Sequence, residues 1–252
     1  MIKGFYAAAS AMLSGMYRQE VLSHNVANID TPGFKQILTS MEDFMNTQAY
    51  TSPGVVGNSS PRYLGEIGLG VEMSEDTIDF TQGAMNATGN DFDVAIEGAG
   101  FFRIQTPEGE RYTRDGRMVR DAEGTLVTVD GFPYLNENGQ PITIDQGILS
   151  VSRDGLIAID GEEVDNLGIA VFEDPAATLI RTQGNYFEAS QTPATEGAGV
   201  VLQGYLEASN ANPTRLMTHM VEVLRSYQAA QQMVQNQDEL LGRSISVLGR
   251  IG

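Results

Sequence analysis

Three pairs of closely spaced carboxylates are the side chains best suited to chemistry: Asp76 with Asp79, Asp91 with Asp93, and Glu162 with Glu163. Such a pair can supply a general acid and a general base, or ligate a hard cation. The chain holds 33 acidic residues, however, so pairs at this spacing also arise by chance. None of them belongs to a complete twelve-residue calcium loop with its terminal glutamate. We interpret all three as solvated surface and predict no catalytic and no metal site.

Other reactive groups are scarce. The chain has no cysteine, which excludes disulfides, thiolate nucleophiles and zinc-thiolate sites. Its two histidines, His24 and His219, lie in segments predicted as helices and have no serine or aspartate partner in a motif. Gly98-Ala99-Gly100 resembles part of a phosphate-binding turn, but it precedes a predicted strand rather than a helix N-terminus. We therefore expect no cofactor, and most enzyme classes are disfavoured.

Length and charge narrow the alternatives further. With 252 residues the chain has room for one large or two modest domains. Its 33 acidic and 15 basic residues give a net charge of −18, which repels nucleic acid and anionic lipid. No apolar run approaches the roughly 18 residues that a transmembrane helix needs, so direct membrane insertion is not expected. The first thirty residues lack the apolar core of a cleavable signal peptide, and we expect none.

The charge is distributed unevenly along the chain. Residues 1–35 carry three basic and two acidic residues, and residues 209–252 carry four basic and three acidic residues. The 173 residues between them therefore carry −20. This contrast indicates that the two ends meet protein surfaces, while the middle of the chain faces water.

The N-terminal segment has the spacing of an amphipathic helix. Mostly apolar residues recur at alternating steps of three and four, and the predicted assembly seam here comprises Ile2, Phe5, Met12, Met16 and Val26. A helix of about 27 residues is predicted. It should end before Thr31-Pro32-Gly33, because the proline biases the preceding residue away from helical geometry and the glycine permits a positive φ.

The C-terminal segment has the same spacing over a greater length. Asn212 is a suitable N-cap, and Pro213 suits the first helical position. The helix should run to about Leu248, well beyond the usual 11 or 12 residues of a globular protein. Its predicted seam comprises Leu216, Met220, Val223, Tyr227, Val234 and Leu241. An intramolecular helix pair would also explain both seams, but their length favours packing between molecules.

The middle of the chain has a strand pattern. Short β-branched and aromatic runs alternate with Asp-Gly and Asn-Gly pairs from Asp91 to Phe187, which predicts an antiparallel β body. Residues 36–90 and 188–208 are interpreted as extended connectors, and residues 1–35 and 209–252 as one discontinuous helical assembly domain. The predicted fold class is α+β, with long terminal helices in a coiled-coil-like layer and a central antiparallel β body.

The sequence contains three motifs. The first runs from Ser23 to Lys35, the second from Asp93 to Phe102 with Tyr112 to Gly116, and the third from Gln203 to Asn212. In this order they span most of the chain, and they resemble the motifs of the rod and hook family of bacterial flagellar axial proteins. The residues that carry the match are Asn25, Asn28, Thr31, Pro32, Gly33, Phe34, Lys35, Gly98, Gly100, Phe101, Phe102, Ser209, Asn210 and Asn212.

The resemblance implies a mechanical role rather than catalysis. Both terminal helices would pack with those of neighbouring subunits in an inner layer, with the β body outside and residues 36–90 locking adjacent subunits. The assembly would be a hollow shaft of the basal body that transmits torque and surrounds the export channel. Its partners would be copies of itself, neighbouring rod and hook subunits, the flagellar type III export apparatus and the surrounding bushing rings. Export by that apparatus needs no cleavable signal.

Alternatives within and outside this family stay open. The size of the chain favours a rod protein over the hook protein, and residues 46–72 resemble the connector of the distal rod type. A proximal rod or hook-like subunit is the first alternative. A soluble β-rich enzyme that uses paired carboxylates is a second, and a monomeric binding module with a helical stalk is a third.

Overall fold

A computed structural model describes residues 2–50, 63–182, 184–191, 193 and 197–248. In these ranges the chain is α+β, with helices α1 (Ile2–Ala27), α2 (Pro175–Thr178) and α3 (Pro213–Leu248). The chain divides into two compact units. The helical unit comprises Met1–His24, Ile37–Thr77 and Pro213–Gly252, and the β unit comprises Asn25–Gln36 and Ile78–Asn212.

Eighteen strands are formed by the described residues. In chain order they are β1 (Ile37–Leu38), β2 (Met41–Tyr50), β3 (Tyr63–Met73), β4 (Thr77–Ile78), β5 (Met85–Ala87), β6 (Val94–Glu97), β7 (Phe101–Thr106), β8 (Gly109–Thr113), β9 (Val119–Arg120), β10 (Leu126–Val127), β11 (Leu149–Val151), β12 (Leu156–Ile159), β13 (Glu162–Asn166), β14 (Ile169–Ala170), β15 (Leu179–Arg181), β16 (Phe187–Ala189), β17 (Val200–Gln203) and β18 (Tyr205–Glu207).

Both long helices were predicted from the sequence and are confirmed, with 26 residues in α1 and 36 in α3. They approach each other inside the helical unit through glycines of α1. A Cβ atom on Gly4 would lie 3.5 Å from Gln237 Nε2, and one on Gly15 would lie 3.7 Å from the Cβ of Tyr227. Because contacts move up α1 as they move down α3, the two helices run antiparallel.

The helical unit also contains a long antiparallel hairpin. Strands β2 and β3 pair from Met41 opposite Met73 to Tyr50 opposite Tyr63. The hairpin lies against α1, where Ser10 Oγ accepts a hydrogen bond of 3.2 Å from the Val71 amide. Gly70 permits this approach, since a Cβ there would lie 2.7 Å from Ser10 Oγ. Both strands lie in residues 36–90, for which the sequence predicts an extended connector and no hairpin.

The β unit is built on antiparallel pairs, as the sequence predicted. Its largest sheet has the order β14-β7-β8-β16-β15, and β11, β12 and β13 form a second sheet. Successive residues of β7 face opposite sides of its sheet. Phe102 therefore joins a core with Tyr134 and Leu126, whereas Phe101 joins a second cluster with Tyr112 and Phe187. The adjacent pair Phe101 and Phe102 thus ties the two cores together.

Glycine is required for different reasons in two of the Asp-Gly pairs. Asp160 and Gly161 have φ values of 50° and 91°, the two successive positive values that a type I′ turn needs, and they connect β12 to β13. Gly116, in contrast, is required by a close approach. A Cβ there would lie 1.5 Å from the carbonyl oxygen of Val94. The Val94 amide also donates a hydrogen bond of 3.0 Å to the Gly116 carbonyl, which keeps the two backbones at this distance.

Candidate functional site

The turn after α1 brings the first motif against the other two inside the β unit. Gly33 has the predicted positive φ, at 67°. Its amide donates a hydrogen bond of 2.7 Å to the Glu207 carbonyl, in the third motif. A Cβ on Gly33 would lie 2.3 Å from the carbonyl carbon of Arg114, in the second motif. Only glycine fits this position without movement of the neighbouring backbone.

Three charged side chains meet in the interior where the motifs converge. Lys35 and Glu207 are each only 1% exposed, and Lys35 Nζ lies 2.6 Å from Glu207 Oε1. The other oxygen, Oε2, lies 3.3 Å from Nη1 of Arg114, which is 6% exposed. Each motif therefore contributes one member of this ionic cluster of Lys35, Arg114 and Glu207.

Backbone groups form hydrogen bonds with all three members of the ionic cluster. Lys35 Nζ donates 2.8 Å to the Thr81 carbonyl, and the Gly83 amide donates 2.9 Å to Glu207 Oε1. Arg114 donates 3.1 Å to the Ile96 carbonyl and 2.7 Å to the Gly98 carbonyl. Buried charges are tolerated when they are paired and hydrogen-bonded in this way.

The electrostatics of the cluster are those of two cations around one anion. Burial lowers the pKa of Lys35 and of Arg114, because desolvation disfavours their charged forms, and the attraction of Glu207 opposes both shifts. The formal charge of the cluster is +1 when all three groups are ionised. Glu207 is thus the group on which the balance of this interior site depends.

A second set of contacts joins Asn210 of the third motif to residues near the end of the first motif. Asn210 accepts 2.8 Å from the Gln36 amide, and its Nδ2 donates 2.7 Å to the Asp79 carbonyl. Phe34 is fully buried, with the Arg181 guanidinium 4.5 Å from its ring centroid. Desolvation lowers the pKa of Arg181 to about 10.

The remaining motif residues have local roles. Asn25 is 1% exposed, and Thr31 Oγ1 donates 3.1 Å to Asn28 Oδ1 within the turn. The Pro32 carbonyl accepts 3.0 Å from Asn185 Nδ2. Gly100 lies so close to the neighbouring strand β14 that a Cβ would be 2.7 Å from Ile169 Cγ2. Ser209 Oγ accepts 3.2 Å from the Ala211 amide, and Asn212 immediately precedes α3.

The predicted seam residues fall into two groups in the structure. On α3, Leu216 and Val223 are 5% and 4% exposed. Met220, Tyr227 and Val234 are partly buried, and Leu241 is 37% exposed. On α1, Met12 and Val26 are partly buried, whereas Phe5 and Met16 are 41% and 58% exposed. The side chain of Ile2 lies outside the described part of the chain.

Comparison with known proteins identifies the family. Models described as a flagella basal body rod protein, the flagellar hook protein FlgE/F/G D1 domain and the flagellar basal body rod FlgEFG protein C-terminal match residues 5–35, 95–159 and 202–247. The chain is 34% identical over 257 residues to the flagellar basal-body rod protein FlgF of Caulobacter vibrioides, covering 100% of both chains. It is 32% identical over 266 residues to the flagellar basal-body rod protein FlgG of Bacillus subtilis, covering 98% of this chain and 99% of that one. The chain belongs to the flagellar basal-body rod protein family.

Family membership makes the chain a structural rod subunit of the flagellar basal body and not an enzyme. The similar proteins carry both FlgF and FlgG names, so the distal assignment stays a prediction. No helix in the described ranges is both long and apolar enough to cross a membrane.

Two of the carboxylate pairs lie in different surroundings. Asp93 is 8% exposed and accepts 3.1 Å from Asn90 Nδ2. Glu162 and Glu163 are exposed on β13. Across the described ranges, no three histidine, aspartate or glutamate side chains gather closely enough to hold a metal ion.

The seam prediction missed part of the apolar surface of this rod subunit. Tyr6 and Leu13 are 66% and 69% exposed and lie beside Phe5 and Met16 on α1. They escaped the prediction because they fall one position after the heptad residues Phe5 and Met12. We define Phe5, Tyr6, Leu13 and Met16 as the outer face of α1. The spacing of seven residues between Tyr6 and Leu13 was the available signal.

Proposed function

We propose that α1 and α3 of this rod subunit form an inner, coiled-coil-like layer with the helices of neighbouring copies and of adjoining rod and hook subunits. The observation that carries the proposal is the outer face of α1, where four large apolar or aromatic side chains are at least 41% exposed. The layer would surround the export channel, and the shaft would transmit torque.

The exposed surface is too apolar for a helix that works in water. Helix α3 adds exposed large apolar residues along its length: Met217, Val221, Leu224, Met233, Leu240 and Ile245. Exposed apolar surface of this extent, on both terminal helices, marks protein interfaces in soluble proteins. Burying one such side chain contributes about 1.5–3 kcal/mol, so a few of them per contact suffice to drive association.

The ionic cluster supports the mechanical part of the proposal. A subunit that transmits torque needs terminal segments that do not slip within its folded body. In the β unit, Lys35 follows α1 and Glu207 precedes α3 in sequence, and the two side chains are joined at 2.6 Å in a buried site. This site joins the segment that follows α1 to the segment that precedes α3, and it joins both of them to Arg114.

The finer features of the proposal follow from the resemblance of the motifs. We assign residues 36–90, with the β2–β3 hairpin, to the locking of adjacent subunits. The chain is exported by the flagellar type III apparatus, contacts the surrounding bushing rings and occupies the distal rod. Immunogold labelling of purified basal bodies tests the last point, because label at the membrane-proximal end would contradict a distal position.

Self-association is the decisive test of the helical layer. Leu13→Glu places a charge at the centre of the outer face, whereas Gln232→Glu adds the same charge at an exposed polar position of α3. In sedimentation velocity at increasing concentration, we expect wild type and Gln232→Glu to grow in size and Leu13→Glu to stay small. Circular dichroism should show equal helix content in all three. Equal association of Leu13→Glu and wild type would remove the outer face from the proposal.

A further inference from the structure

The β2–β3 hairpin of the helical unit is a long sheet with few strands. Its strands have 10 and 11 residues, and within the described part of the chain β2 pairs with β3 alone. A sheet of only two strands is marginally stable in water, and independent stability needs three or more strands or a packed face. The hairpin therefore has the form of one repeat of a larger sheet.

Hydrogen bonds of β3 show which backbone groups point out of the hairpin. In an antiparallel pair, residues whose N–H and C=O groups face the partner strand alternate with residues whose groups face away. The Ser74 amide donates 3.1 Å to the Ser40 carbonyl, so the even-numbered residues face inward. The Val71 amide donates 3.2 Å to Ser10 Oγ on α1 and faces outward, as this alternation requires. Because Val71 is opposite Asp43, the odd-numbered residues of β2 also face outward.

Helix α1 covers only part of the outer edge of β3. It lies against Gly70, and further along it the Tyr17 hydroxyl donates to Asp76, which follows β3 in the chain. Near the start of β3, in contrast, a Cβ on Gly65 would meet no atom within 4 Å. The described side chains around this glycine are exposed: Tyr63, Leu64 and Glu66. Residues 63–67 therefore have an accessible edge.

The sequence of β2 lacks the features that keep an edge strand single. Such strands usually carry lysine, proline or a bulge that interrupts pairing. Strand β2 has neither lysine nor proline, and its two acidic residues, Glu42 and Asp43, lie at its start. From Phe44 to Tyr50 it has no charge and no glycine, and its one shift of register with β3 falls at the end, between Ala49 and Tyr50. This composition is typical of strands that pair with another chain.

An outward row of backbone groups selects an extended strand as its partner. When two copies lie side by side in the same orientation, β2 of one copy is antiparallel to β3 of the next, because the two strands are antiparallel within each hairpin. We propose that β2 of one copy pairs with residues 63–67 of the next copy and continues the sheet across subunits. With no displacement along the strands, the backbones of Thr47 and Ala49 meet those of Ile67 and Gly65, and all four belong to the outward set.

This contact uses different surfaces on the two copies. Each bound copy therefore presents a new β2 edge and a new β3 edge, and heterologous contacts of this kind produce rings or open helical assemblies. A symmetric pair of β2 strands would instead close after two copies. The inference rests on the proposed function, and it specifies the backbone contact by which the hairpin locks adjacent subunits.

Because the chain has no cysteine, single cysteines report the contact directly. Gln48→Cys is mixed with isotopically labelled Glu66→Cys, and after mild oxidation mass spectrometry distinguishes mixed dimers from dimers of one variant. Between copies, Gln48 and Glu66 would form a non-hydrogen-bonded pair with Cα atoms about 4.5 Å apart, which a disulfide can bridge.

Glu72→Cys replaces Glu66→Cys in the control. Both glutamates are exposed, and six residues separate them along β3, so they lie on the same face. They are about 20 Å apart, and Glu72 lies in the part of β3 that α1 covers. We expect at least about tenfold more mixed dimer with Glu66→Cys, the ratio set by a preference of 1.4 kcal/mol.

The backbone hydrogen bond is tested without cysteines. Thr47→Pro removes an outward N–H, and proline is tolerated on an edge strand where the N–H does not face the partner strand. It should weaken self-association about two- to tenfold, the range of one net hydrogen bond. Thr47→Val keeps the amide and should associate like wild type. Equal association of the two variants would contradict strand pairing through Thr47.

The results separate this inference from the proposed function. If wild type associates but the mixed dimer with Glu66→Cys does not exceed the control, the strand pairing is wrong and the helical layer stands. Predominant Gln48→Cys homodimers would also overturn the inference, because they would indicate a symmetric pair of β2 strands. If wild type does not associate at any accessible concentration, both proposals fail.

Discussion

Replacing Glu207 by glutamine tests whether the ionic cluster holds the motif segments together in the β unit. The change keeps the size of the side chain and an oxygen for the Gly83 amide, but it removes the only anion between Lys35 and Arg114 in the cluster. Both cations stay buried and now repel each other. Lys35→Met, by contrast, leaves Glu207 and Arg114 as a balanced pair.

The two variants should lower the free energy of unfolding by different amounts. Removing one partner of a buried ion pair costs about 3–5 kcal/mol when the other charge cannot reach water, and we expect this range for Glu207→Gln. Lys35→Met should cost about 1–3 kcal/mol. Its loss is smaller because the Thr81 carbonyl, which accepts from Lys35, also accepts 3.1 Å from Asn210 Nδ2 and so keeps a donor.

Urea unfolding of the full chain provides the measurement. The chain has no tryptophan and nine tyrosines. Near-ultraviolet circular dichroism therefore reports on the buried rings of the β unit: Tyr112, Tyr134 and Tyr186. A similar dependence of the unfolding free energy on urea would show that each variant unfolds the same structure. Glu108→Gln is the matched control, because that carboxylate is 77% exposed and should contribute less than about 1 kcal/mol to stability.

The order of the variants decides the outcome. A Glu207→Gln variant that loses less stability than Lys35→Met would contradict the picture of one anion neutralising two buried cations. A loss as small as that of Glu108→Gln would mean that water reaches the site and that the cluster does not fasten the motifs.

Two further predictions concern the β unit. Gly33→Ala should lower the free energy of unfolding by several kcal/mol, because the new Cβ collides with the Arg114 backbone. In the control Gly89→Ala, the glycine has a similar φ of 71° but nothing lies within 4 Å of the new Cβ, so the loss should be about 1 kcal/mol. Equal losses in urea unfolding would refute the collision. Tyr134→Phe removes a hydrogen bond of 2.9 Å to the Asp115 carbonyl and should cost about 1 kcal/mol at pH 8. Burial raises the pKa of Tyr134 well above 10.0, so the phenol loses its proton at lower pH in the unfolded chain than in the folded one. Above pH 10 the free energy of unfolding of wild type therefore falls by about 1.4 kcal/mol per pH unit through this group, and the variant does not have this loss. A deficit of Tyr134→Phe that is the same at pH 8 and pH 11 would contradict this linkage.

The helices were predictable because their signals are local. The periodic apolar residues, Pro213 at the first helical position and the turn at Gly33 each act within a few residues, and the observed bounds of α1 and α3 agree with them. The β2–β3 hairpin was not predictable in this way. Strand β3 contains Gly65, Gly68 and Gly70 and has no alternation of apolar and polar residues. Its pairing and its contact with Ser10 on α1 are tertiary.

The ionic cluster was missed for a related reason. Lys35 and Glu207 are 172 residues apart, and a charged residue in a motif is ordinarily assigned to the surface. One signal was present in the sequence, since each of the three motifs contains one of Lys35, Arg114 and Glu207. Without the fold, nothing indicates that these three side chains share one interior site rather than three separate surfaces.

The placement of the motifs explains what their match does and does not specify. Gly33, Lys35 and Glu207 act inside one subunit, where they fix the segments that flank the terminal helices. The exposed residues Tyr6 and Leu13, in contrast, lie outside all three motifs. The motif residues therefore determine the geometry of a single subunit. The features that distinguish one position along the shaft from another must lie in the exposed faces, because only those faces meet a different neighbour.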